Sequence, residues 1–108
     1  YYLASRKQKM DIATKHVKKL LELQPENGVF VGTYGWVLYK QNKLQDAKKM
    51  FEKAVSLAPS AVILEHYGDV LFKLNEKDKA IEQWQKAQNM KGGSPQLAKK
   101  VTDKQLYE

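Results

Sequence analysis

The chain has 108 residues, no cysteine, and 19 Lys and Arg against 12 Asp and Glu, for a formal charge of +7. That length holds one domain at most, and 43% apolar residues suffice for a modest core, which argues against disorder. Disulfides, thiolate chemistry and Cys-based zinc sites are excluded, no apolar run approaches the ~18 residues of a membrane span, and residues 1–10 do not read as a secretion signal.

Apolar residues recur with a period of 3.6, so the expected elements are helices: 1–7, 11–23, 28–41, 44–57, 61–74, 77–90 and 95–107. Residues 1–27 read as the back portion of a unit. Ala13 precedes Ala47 by 34 residues, Pro25 precedes Pro59 by 34, and Val17 and Leu20 stand where the aromatic Phe51 and the second alanine, Ala54, come in the next unit. A Tyr-Tyr start in mid-helix is what a fragment of a longer protein would show. Tyr1, Leu3 and Ala4 would then form an apolar edge open to self-association.

The next two units, 28–60 and 61–93, echo each other at a spacing of 33 residues. Tyr34-Gly35-Trp36-Val37-Leu38-Tyr39-Lys40-Gln41-Asn42 returns as Tyr67-Gly68-Asp69-Val70-Leu71-Phe72-Lys73-Leu74-Asn75, and nine of the 21 positions in 34–54 match 67–87. A repeat at this period points to stacked helical hairpins. Asn42 and Asn75 fall at the turns, where Asn tolerates a left-handed backbone. Pro25 and Pro59 close the second helices. Gly35 is expected to face Ala47, and Gly68 to face Ala80, letting each helix pair approach closely. Phe51 and Trp84 fill the wedge between neighbours, with Ala54 and Ala87 completing the packing set. In 94–108, Ser94 is the expected N-cap and Pro95 the first helical residue. Leu97, Val101 and Leu106 give a narrow apolar edge, and Lys99, Lys100, Asp103 and Lys104 lie elsewhere, as on a solubilising end cap.

The spacing Gly35…Ala47…Phe51…Ala54…Pro59 resembles the tetratricopeptide repeat (TPR) family, and Gly68…Ala80…Trp84…Ala87 repeats it without the closing Pro. The resemblance covers nearly the whole chain. It implies an all-α fold of antiparallel helical hairpins, stacked as a right-handed superhelix with a C-terminal capping helix, in a single domain. It also implies a concave groove lined by the first helix of each hairpin. In that register the groove residues are Gly32, Trp36, Tyr39 and Lys40, then Glu65, Asp69, Phe72 and Lys73, with Tyr2, Ser5 and Arg6 in the truncated unit. Tyr39 is expected to be exposed, and Trp36 either exposed or packed on the preceding repeat. Arg6, Lys40 and Lys73 form a basic ladder. Glu65 and Asp69 should draw a cation from a partner. The TPR subclass that clamps acidic chaperone C-termini uses Lys, Asn and Arg at groove positions. Tyr2, Gly32, Trp36, Glu65 and Asp69 stand there instead, with the wrong sign. The phrases around Gly35–Tyr39 and Leu64–Leu71 are also similar to C-terminal repeats of bacterial cell-envelope TPR proteins, which makes a periplasmic or a cytoplasmic setting compatible.

Chemistry is sparse. His16 and His66 are 50 residues apart with no further ligand type beside them, so a metal site is not expected. Glu65 and Asp69 are paired without a nucleophile, and Gly28, Gly32 and Gly35 follow no strand, so neither catalysis nor a phosphate loop is indicated. No cofactor and no small-molecule substrate are expected. The 18 lysines to one arginine argue against nucleic-acid readout. The expectation is a non-catalytic module that holds a protein or peptide partner in its groove. The competing reading is a structural segment stacking on further repeats or another copy. A basic surface for nucleic acid or anionic membrane comes last.

Overall fold

In a computed structural model, backbone is described for residues 2–90 and 93–104, and side chains from residue 12 onward. There are six helices and no strands among these residues: α1 (Tyr2–Leu23), α2 (Gly28–Lys40), α3 (Leu44–Leu57), α4 (Ala61–Lys73), α5 (Lys77–Gln88) and α6 (Leu97–Asp103). The fold is an all-α helical repeat. Helix α2 packs chiefly on α3, and α4 on α5; α3 joins the two hairpins through α4, and α6 closes on α5.

Local chemistry explains the hairpins. Asn27 caps α2, its side-chain oxygen accepting from the Val29 and Phe30 N–H groups at 3.0 and 3.2 Å. Ser60 caps α4, accepting from Ile63 N–H at 3.2 Å. Both groove-bearing helices therefore have fixed starts. Both hairpin turns use a left-handed Asn, with φ 63° at Asn42 and 67° at Asn75. In the first, Asn42 N–H donates to Tyr39 O and Lys43 N–H to Leu38 O; in the second, Asn75 donates to Phe72 O and Glu76 to Leu71 O. These paired bonds satisfy carbonyls that a helix end leaves open.

The same chemistry corrects the first unit. A break between 7 and 11 was expected, but α1 runs unbroken from Tyr2 to Leu23. The positions matching Asn42 by either repeat spacing are Gln8 and Lys9, good helix formers that do not favour a left-handed turn. The expected apolar edge of Tyr1, Leu3 and Ala4 lies outside the described side chains.

The core divides in two. Val31, Leu38, Tyr39, Ala47, Phe51, Ala54, Ile63 and Val70 form one cluster; Leu64, Leu71, Ala80, Trp84, Ala87 and Leu97 form the other. Gly68 faces Ala80 as expected, 3.0 Å from its carbonyl oxygen where a Cβ would stand, but both glycines make room first for an aromatic ring, and Gly35 meets Phe51 and Met50 rather than Ala47. A Cβ on Gly68 would lie 2.5 Å from the Trp84 indole, and one on Gly35 would lie 3.1 Å from the Phe51 ring.

Helix α6 is shorter than expected. It begins after Gln96, not at Pro95, and ends where Lys104 turns left-handed at φ 53°. Ser94 is not the N-cap; its hydroxyl donates to Glu65 and accepts from the Gln96 N–H at 3.3 Å, one turn ahead of the helix.

Candidate functional site: the α2–α4 cleft and the seam beneath α6

The helices place the eight expected groove residues in three different settings. Gly32, Trp36 and Lys40 lie at a cleft between α2 and α4. Its cavity of about 270 Å³ is lined by Val29, Gly32, Thr33 and Trp36 from α2, Phe51 from α3, and Ser60, Val62, Ile63 and His66 around α4. Gly32 forms the floor. It is buried, with Ile63 3.4 Å and Ala54 3.7 Å from where a Cβ would stand, so its missing side chain leaves the space. Trp36 forms a wall, stacked on His66 at 4.0 Å between centroids and on Tyr39 at 5.1 Å. Lys40 is exposed, with its ammonium 4.8 Å from the Trp36 centroid, within cation–π range. Val29 and Val62 are 61% and 47% exposed at the rim.

Tyr39 differs from the expectation of exposure: it is 6% exposed and belongs to the first core cluster. Trp36 covers it by stacking, so the outer aromatic takes the solvent edge and the inner one is buried. Phe72 is half-buried and stacks on Trp84 at 5.6 Å, with Lys77 over its ring. Lys73 is exposed.

Glu65 and Asp69 do not face a groove open to partners. Both are 3% exposed, and so is Lys100 of α6, which was expected on a solvated face. The Lys100 ammonium lies 2.7 Å from Glu65 Oε2 and 2.9 Å from Asp69 Oδ1. Ser94 donates to Glu65 through its hydroxyl and its N–H, and the Trp84 indole N–H donates to Asp69 at 3.0 Å. The cation expected from a partner comes from within the chain.

This cluster sets the titration of its members. Burial pushes Asp69 up to about 6, against the pull of Lys100 and the Trp84 hydrogen bond. Burial also pushes Glu65 up, but bonds from Lys100 and Ser94 outweigh it and hold that carboxyl below its usual range. His66 is pushed down, first by burial, then by the cations Lys100 and Lys40 against Glu65. It lines the cleft as a neutral imidazole above pH 6.5, the model-peptide value it falls below.

Four important residues were not read from the sequence: Val29, Val62, His66 and Lys100. Three carried a signal. Val29 and Val62 are 33 residues apart, so the repeat places an apolar residue at the same outer position twice. Lys100 follows Leu97 by three and precedes Val101 by one, which puts it on the apolar stripe of α6. No group of His, Asp and Glu able to hold a metal occurs among the described residues, and no helix among them is long and apolar enough to cross a membrane.

The tetratricopeptide repeat family model matches residues 32–61, from the cleft floor through the first residue of α4. Curated proteins return no match. Among solved structures, the chain is similar to the N-terminal domain of stress-induced protein-1 (STI-1) from C. elegans, with TM-score 0.75 and 22% identity over 95% of this chain and 87% of that one. Residues 32–61 thus carry a tetratricopeptide-repeat signature, and the all-α hairpin fold is shared with that solved domain.

Proposed function

We propose that the chain is a non-catalytic protein-interaction module that grips an apolar side chain of a partner segment in the cleft between α2 and α4. The tetratricopeptide family supports protein binding in general. The observation that carries the finer reading is the cleft itself: an apolar cavity of about 270 Å³ over Gly32, with two exposed valines at its mouth. A pocket of this kind suits an anchor residue, the type of contact that dominates interface energy. Lys40 at the rim favours a carboxylate beside the anchor, worth about 0.2–1 kcal/mol at an exposed site. A cation following the anchor, as the sequence suggested, has lost its partners, because Glu65 and Asp69 are held by Lys100.

The test is a peptide-library screen with the wild type and a Val29→Asp/Val62→Asp double variant. Both valines are surface residues, so the melting temperature should hold while anchored peptides are lost. Equal binding by both proteins would remove the cleft as the recognition surface.

A further inference from the structure

The seam under α6 contains more than packing. Two carboxylates and one ammonium are enclosed together, each 3% exposed. If all three are ionised, the site carries one uncompensated negative charge in a place largely shut off from water. Charge facing Asp69 comes from Glu65, one turn back on α4, and from Lys100 on α6. Helix α5 brings the Trp84 indole N–H, and the 93–94 turn directs its Ser94 donors to Glu65. Lys73, one turn further along α4, and Lys77 on α5 are exposed. His66 shares α4 but stacks against Trp36 at the other seam.

We propose that this cluster is a proton-controlled latch: with one carboxyl proton held beside the Lys100 ammonium, the docked α6 sits on a neutral site, and loss of that proton leaves an unbalanced charge that loosens the helix. Helix α6 has seven residues, and Leu97 and Lys100 are its buried members. Val101 adds a partly buried contact with the second core cluster. Loosening it uncovers the end of the second core cluster, where Leu97 packs with Leu64, Leu71 and Trp84.

The direction follows from the proton balance. Docking α6 buries Asp69, which then keeps its proton up to about pH 6 rather than 3.8. Docking therefore takes up a proton, and acid tightens the latch. The effect is complete below the ordinary carboxyl range and is lost as pH rises through about 6. Across that window one proton changes the docking constant about tenfold per pH unit. Glu65 remains ionised there, since its carboxyl lies below the usual value. His66, pushed down by burial, contributes the opposite slope, and it is common to wild type and variants.

The experiment is hydrogen exchange on the 108-residue chain, comparing α6 amides with those of α2 and α3 and correcting for intrinsic rates. From about pH 4.5 to 6.5, α6 protection in the wild type should fall roughly twentyfold, by at most tenfold per pH unit and levelling off above about pH 6. Protection in α2 and α3 should not follow it. Asp69→Asn, the uncharged equivalent of the protonated carboxyl, should keep α6 protected and abolish the fall with pH, leaving only the opposite His66 contribution. Glu65→Gln leaves a one-to-one pair of Asp69 and Lys100 and should also flatten the curve; it decides the matter if Asp69→Asn does not fold. Flat protection in the wild type would overturn the latch, as would a wild-type slope retained in either variant.

Discussion

The two seams that α4 makes, with α2 on one side and α6 on the other, share one register and end in opposite states. Gly32 and Trp36 on α2 correspond to Glu65 and Asp69 on α4 by the 33-residue spacing. His66, which meets Trp36, corresponds at a spacing of 34 to Lys100, which meets Glu65 and Asp69. At the α2–α4 seam a glycine leaves a space, and a flat Trp–His stack borders it without filling it. At the α4–α6 seam two carboxylates take the same places, and an ammonium closes on them. One backbone arrangement thus yields either an open cleft or a joint sealed by the chain itself, depending on two side chains.

The sharpest way to break this contrast is Lys100→Met. Removing the ammonium leaves two buried carboxylates facing each other, and truncating one partner of a buried ionic site typically costs about 3–5 kcal/mol. Chemical denaturation at pH 7 should show a loss of that order, with α6 undocked. A change below about 1 kcal/mol would mean that the seam is hydrated and its charges already screened.

The hairpins offer a second comparison. Gly68→Leu should cost several kcal/mol, because even a Cβ there meets the Trp84 ring at 2.5 Å, and overpacking typically costs ~1–3 kcal/mol or more. The smaller Gly68→Ala should still destabilise more than Gly35→Ala, whose Cβ meets Phe51 at 3.1 Å. Thermal melts of the alanine pair test the order; equal losses would show that Trp84 can tilt away as easily as Phe51.

Gly32→Ala is the smallest expected effect and has the opposite sign. Ile63 at 3.4 Å and Ala54 at 3.7 Å leave room for a methyl, and Gly inside a helix costs about 0.5–1 kcal/mol relative to Ala. The variant should therefore melt higher while narrowing the cleft floor. A more stable variant with weaker peptide capture would indicate that the glycine serves the cleft rather than the fold. A lower melting temperature would show that the floor is already full.

The turns, the hairpin partners and the aromatic core were legible in the sequence because local chemistry and short-range repetition determine them. Asn42 and Asn75 favour a left-handed backbone, and Phe51 and Trp84, both fully buried, recur at the repeat spacing on the apolar stripes. The missing break in α1 was legible in principle too, since Gln8 and Lys9, at the positions of the turn asparagines, do not favour a left-handed backbone. The site was less legible. Residues that share a helix face in the sequence pattern can meet water, a neighbouring helix or the chain's own end. Tyr39 is buried because Trp36 stacks over it, a choice between two aromatics that spacing alone does not make.

Amino-acid sequence by itself determined the helical class, the 33-residue hairpin unit and the positions of its turns, all of which follow from backbone preference and apolar period. Only the tertiary structure decided what the groove positions of the second unit do. Glu65 and Asp69 are 35 and 31 residues from Lys100, and their pairing depends on where α6 docks. A charge reads as solvated along a helix, and becomes a buried joint only when a distant opposite charge arrives to compensate its loss of water.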